Sequence, residues 1–244
     1  MGTDVSVTDF QVHLQTAGAV VSIVAGSLVV ASLAITLGSS LLSSLGLSST
    51  APGPRAFISA MQFVGFAVAI AAFLQLSDDW GLIRWRLPTL RDIGWMVGGL
   101  VVLFGVLFGL SALISLLGVS TAESSIVSTG RESPAYLLYL VPVTIFLVGP
   151  TEELIFRGIV QGTIRRAYGP VVGVVGASLV FASIHLPSLL GDGQFTTLAI
   201  IFTLGALLGV LYELTDNILV PIVVHGLFNA VQFVVQYATQ TGML

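Results

Sequence analysis

Long apolar runs separated by short polar breaks fill the chain from about residue 17 to its end. A helix that crosses a bilayer needs about 20 apolar residues. Seven runs reach that length, roughly 17–45, 56–76, 93–118, 135–166, 170–190, 195–214 and 217–238. The first and fourth are long enough to be tilted, kinked or split, so the pattern predicts seven to eight transmembrane helices. Gly149-Pro150 is a natural break within the fourth. The runs are continuous, whereas barrel strands alternate over about 10 residues. The expected fold is therefore an all-α, polytopic helical membrane protein, with 1–244 a single transmembrane domain in the cell membrane.

The breaks carry orientation signals. The 77–92 linker holds Asp78, Asp79, Arg84, Arg86, Arg91 and Asp92 beside Trp80 and Trp85, and reads as an interfacial segment. The positive-inside rule puts it in the cytoplasm and puts 119–134, with Glu123, Arg131 and Glu132, outside. The first sixteen residues carry Asp4, Asp9 and His13 but no arginine, so they lack the basic region of a signal peptide and the first run is expected to be a retained span. His13 is expected to be solvated. Gly-x-x-x-Gly pairs at Gly94/Gly98, Gly105/Gly109 and Gly205/Gly209 predict close helix packing.

Composition agrees and narrows the chemistry. Charged residues make up 8% of the chain, against about 25% in soluble domains. No basic stripe suggests nucleic acid; membrane lipids are the expected partners. Cysteine is absent, so disulfides and thiolate ligands are ruled out.

Against this apolar background a few polar residues stand out. Glu152, Glu153 and Arg157 lie within the fourth run, His185 in the fifth, and His225 with Asn229 in the seventh. Ionised groups at bilayer depth are costly, face a bundle interior or a wet cavity, and mark function. Tyr168-Gly169-Pro170 is the expected turn between the fourth and fifth spans. Glu152 lies sixteen residues before Tyr168 and His185 sixteen after Gly169, so both sit about 24 Å from the turn on regular α-helices. His225 and Asn229, at i and i+4, share one face. Glu153 and Arg157 are spaced as a favourable ion pair, which leaves Glu152 to face His185.

A carboxylate beside an imidazole can hold and deprotonate a water. His225 and the Asn229 amide could stabilise an oxyanion. Glu152, His185 and His225 could instead ligate a divalent metal such as Zn²⁺, which would activate the water itself. Residue types alone leave both open, so the cofactor is either none or such a metal. The lack of a Gly-x-Ser-x-Gly elbow argues against a serine mechanism, and the lack of His-Glu-x-x-His excludes a zincin-type site.

Glu152-Glu153-x-x-x-Arg157, Phe181-x-x-x-His185 and His225-x-x-x-Asn229, in that order on successive spans, resemble the CPBP family. That family includes type II CAAX prenyl endopeptidases and bacteriocin-processing or self-immunity proteins. The resemblance covers about residues 140–235, the expected catalytic core. It implies a CAAX-protease-like bundle and an intramembrane endopeptidase acting on a peptide or lipidated protein substrate, often described as a metalloprotease. It also implies that Glu152 with His185 activates water, that His225 and Asn229 donate to the oxyanion, and that Arg157 and Phe181 support them. A non-catalytic immunity or scaffold protein of the same fold, or a proton-coupled transporter, are the rival expectations. Arg165 and Arg166 beside the 168–170 turn would place the glutamates in the outer half. The resemblance implies a site reached from the cytosol, so orientation stays open at this level.

Overall fold

The computed structural model describes residues 7–244, with side chains from residue 11 onward. Eight helices and one two-residue strand pair make up this part. They are α1 (Val7–Ser44), α2 (Pro52–Ser77), α3 (Leu90–Leu116), a short surface helix α4 (Ser125–Glu132), α5 (Ala135–Tyr168), α6 (Pro170–Ser183), α7 (Gln194–Thr215) and α8 (Leu219–Gln240). All but α4 lie in segments long and apolar enough to cross a membrane, giving seven spans at the positions the hydrophobic runs predict. The chain is a multi-pass membrane protein. The first span is one continuous 38-residue helix rather than two.

Local sequence starts and stops these helices. Prolines open α2 and α6 at positions that need no N–H donor. Thr89 and Asp92 form a capping box that opens α3. Gly169, at φ 86°, ends α5 and lets the chain reverse into α6. The strands β1 (Glu123–Ser124) and β2 (Leu189–Leu190) pair antiparallel and tie the loop after α3 to the loop after α6.

The arginines sort by end. Arg84, Arg86, Arg91, Arg165 and Arg166 lie at one end of the bundle, Arg55 and Arg131 at the other, and Arg157 is buried between. Asp79 pairs with Arg166 at 2.5 Å and Glu213 with Arg165 at 3.0 Å, so the 77–92 linker and the ends of α5 and α7 meet on one face. The positive-inside rule assigns that face to the cytoplasm. His13 is exposed, and its ring also stacks on Tyr168 on this face, with centroids 5.4 Å apart.

The core lies where α1, α2, α5 and α6 meet, around Ile23, Phe66, Ile155, Phe156, Ile159 and Phe181. Large apolar side chains on the outer faces, such as Leu76, Val101 and Phe195, are exposed and meet lipid tails in a bilayer. Close packing follows only one of the three Gly-x-x-x-Gly pairs, Gly205/Gly209. A Cβ at Gly94, Gly98, Gly105 or Gly109 would meet nothing within 4 Å; these glycines point outward. Tight approaches include Gly65, where a Cβ would stand 2.6 Å from Ala31 Cα, and Gly99, Gly149, Gly205 and Gly209.

Candidate active site

The site is built on an irregular helix. α5 runs as α over Ala135–Val143, π over Thr144–Val148, α over Gly149–Glu153, π over Leu154–Gln161 and α again to Tyr168. Pro142 and Pro150 each lack an N–H and crowd the carbonyl four residues back. The first π turn lies between them, and π turns of this kind recur at functional sites. Both glutamates sit on the short α segment between the two π turns. Glu153 is fully buried and Glu152 is 7% exposed.

Glu153 is the hub. Its Oε1 accepts from Arg157 Nη1 at 3.0 Å and from His225 Nδ1 at 2.7 Å, while its Oε2 is buried with no partner among the described residues. Arg157, 1% exposed, donates its second arm, Nη2, to the Gly205 carbonyl at 2.9 Å, and its guanidinium carbon lies 4.5 Å from the centre of the Phe181 ring. Glu153 and Arg157 thus each have an opposite charge and hydrogen bonds, which a low-dielectric interior requires.

His225 reaches Glu153 because α5 and α8 cross almost backbone to backbone. A Cβ at Gly149 would stand 3.0 Å from Ile222 O, and one at Gly226 would stand 3.2 Å from Ile145 Cα. His225 is six residues into α8 from its arginine-side start, a depth of about 9 Å. With Nδ1–H given to Glu153, its Nε2 points toward Glu152 Oε2, 3.7 Å away. That gap is too long for a direct hydrogen bond. Asn229, one turn along, is half-buried, and its amide bonds to no other described residue.

His185 lies just past the end of α6. Its Nδ1 donates to the Phe181 carbonyl at 2.7 Å, which fixes the tautomer and leaves Nε2 free. The Phe181 ring bridges the cluster, with centroids 4.7 Å from His185 and 6.1 Å from His225.

Two expectations about pairing change. Glu153 is engaged by His225 as well as Arg157, and the imidazole nearest Glu152 is His225 rather than His185. The depth count assumed a uniform α-helix on both sides of the turn. The π segment over 154–161 holds more residues per turn, which turns Glu152 away from the α register. α6 also stops at Ser183, so His185 lies beyond its last regular turn. Among the described residues, no three His, Asp or Glu side chains are gathered closely enough to hold a metal ion, so Glu152, His185 and His225 do not form a ready cage.

Residues 134–231, which hold every one of these side chains, match the family described as type II CAAX prenyl endopeptidase Rce1-like. This segment is similar to that family. A Bacillus subtilis (strain 168) protein, "Uncharacterized protein YpbD", is 33% identical over 94 residues. The match covers 37% of this chain and 44% of that protein, so the chain spans less than half the length of the curated relative it matches. No solved structure matches. The Rce1-like segment takes in α5 to α8 up to residue 231, while α1 to α3 lie outside it and pack against it.

The Rce1-like segment also contains partners the motifs did not point to. Gln161 is fully buried and donates to the Gly209 carbonyl at 3.1 Å and to Glu213 Oε1 at 2.8 Å. Its signal was present in the sequence: Glu153, Arg157, Gln161 and Arg165 recur every four residues.

Proposed function

We propose that this chain is an intramembrane endopeptidase that hydrolyses peptide bonds of membrane-associated substrates with a glutamate-activated water. The observation that carries this reading is the buried Glu153–His225–Glu152 arrangement, an imidazole oriented by one carboxylate and aimed at a second. An orienting acid, an imidazole and a second group that handles water form a recurring hydrolytic set.

In the proposed reaction a water rests against Glu152, within reach of the free Nε2 of His185. Glu152 removes a proton and the hydroxide adds to the scissile carbonyl carbon. The carbonyl oxygen becomes an oxyanion facing the unpaired Asn229 amide and the Nε2–H of protonated His225, whose other N–H is held by Glu153. Donors placed in a water-poor site are worth most at this step. The intermediate collapses with cleavage of the C–N bond, and the proton taken by Glu152 goes to the departing amine. Arg157 holds Glu153 in place and Phe181 packs against both imidazoles.

A divalent metal such as Zn²⁺ is the competing way to activate the water. The donor set as arranged does not form a three-ligand group, and no step here is routed through a metal. A CAAX-type lipidated substrate fits the Rce1-like segment, since the apolar outer faces of the helices suit a partner already held in the bilayer. A non-catalytic immunity or scaffold role is the second reading. It draws on the near-complete burial of Glu152, Glu153 and His225, which a purely structural cluster would also show.

The test is cleavage of a fluorogenic lipidated peptide in liposomes by wild type and Glu152→Ala, each with and without chelator. Cleavage that is lost in Glu152→Ala and survives the chelator supports the water mechanism. Cleavage that the chelator abolishes supports the metal. No cleavage by folded wild type supports the scaffold reading.

A further inference from the structure

α5 and α7 are joined by polar rungs in strict register. Arg157 Nη2 donates to the Gly205 carbonyl, Gln161 Nε2 donates to the Gly209 carbonyl, and Arg165 forms an ion pair with Glu213, each pair 48 residues apart. On α5 these side chains continue the line that begins at Glu153, and exposure runs from Glu153 and Gln161, fully buried, to Arg165, 41% exposed. On an α-helix, positions four apart drift by about 40° per step, so such a line would leave its neighbour within three steps. The π segment over 154–161 has a wider turn, which offsets that drift and keeps the side chains facing α7.

The opposing glycines are part of the same device. A Cβ at Gly205 would stand 3.2 Å from Arg157 Nη2, and one at Gly209 would stand 2.7 Å from Gln161 Oε1. Bare backbone there lets helix carbonyls accept side-chain hydrogen bonds from the next helix. At the cytoplasmic end Glu213 gathers three partners: it accepts from Arg84 Nη2 at 3.2 Å and Gln161 Nε2 at 2.8 Å, and it forms an ion pair with Arg165 Nε at 3.0 Å. Arg84 also pairs with Asp216 and lies over the Tyr212 ring. The ladder therefore runs without a gap from the ion cluster of the 77–92 linker to the carboxylate that holds His225.

The geometry points to Gln161 and Glu213 as positioning residues that fix the rotation of α5 and so the aim of Glu153 at His225. They act through Arg157 and touch no substrate. For its effect on turnover this inference rests on the peptidase reading; for its effect on His225 it rests on the ladder alone.

The chain has three histidines, so ring-labelled histidine NMR gives three sets of signals, one of them from the His225–Glu153 bond. Three variants, Gln161→Met, Glu213→Gln and the mild surface change Arg165→Gln, are compared with Asp92→Asn. That control breaks the Arg86–Asp92 pair on the same face but outside the ladder. Ladder variants should move the His225 ring-nitrogen signals and lower kcat about 10- to 100-fold, as small misplacements do, with little change in KM. Asp92→Asn should lower the melting temperature and leave the His225 signals alone. His225 signals that stay at their wild-type positions in folded Glu213→Gln and Arg165→Gln protein overturn the inference. If wild type cleaves nothing yet the signals move, the peptidase reading fails and the ladder stands.

Discussion

Arg157 is the side chain whose loss should cost most, and the structure sets the size of the effect. Changing it to methionine removes the guanidinium bonded to Glu153 and frees the Gly205 carbonyl. It also removes the cation stacked on Phe181. Glu153 stays fully buried, with Oε2 already unpartnered and one imidazole left on Oε1. Removing one partner of a buried pair costs about 3–5 kcal/mol, because the remaining charge is stranded. On the soluble-domain scale of about 2–4 °C per kcal/mol at this chain length, Arg157→Met should melt many degrees below wild type in detergent. The double variant Glu153→Gln/Arg157→Met removes both charges. It should recover most of the loss, since replacing a buried pair with uncharged groups of similar volume is close to neutral. Activity should not recover with it. A single variant that melts with wild type, or a double variant no more stable than the single, would refute the reasoning.

Other consequences follow from the same geometry. Glu152→Gln and His185→Ala should each lower turnover by about 10²–10⁴-fold, the usual worth of a general base, while the melting temperature stays near wild type; turnover within a few-fold of wild type would remove the residue from that role. Asn229→Ala should lower kcat by about 10²–10³-fold with KM nearly unchanged, as expected for an oxyanion donor; a rise in KM alone would make it a substrate-binding group. Elemental analysis of purified wild type and His225→Ala separates the water and metal readings, since stoichiometric metal that vanishes with the histidine would overturn direct activation by Glu152. Gly149→Ala should lower stability by about 1–3 kcal/mol, the usual cost of overpacking, because its Cβ would press on the backbone of α8. Gly94→Ala, facing open space, should leave the melting curve unchanged.

The spans were legible because a membrane fixes helix length, and uninterrupted apolar runs have no other stable reading. The polar cluster was legible for the same reason, since a carboxylate or imidazole at that depth stands out. Pairing within the cluster was not. Counting residues from the 168–170 turn placed Glu152 opposite His185 only if α5 rises and turns uniformly, and nothing but Pro142 and Pro150 hinted at its two π turns. Glycine spacing also misled, because Gly94/Gly98 and Gly205/Gly209 look alike in sequence. Only the second pair faces a neighbouring helix, and what it meets there is Arg157 and Gln161. His13 was isolated in sequence because its partner, Tyr168, lies 155 residues away.

The central claim is that Glu152 activates a water that cleaves a peptide bond within the membrane. The most direct test is single-turnover cleavage of a lipidated peptide in H₂¹⁸O-equilibrated liposomes by wild type and Glu152→Gln. The account predicts one ¹⁸O in the new carboxylate from wild type, and no product above background from a Glu152→Gln protein that melts like wild type. Product formed at comparable rates by both proteins would contradict it.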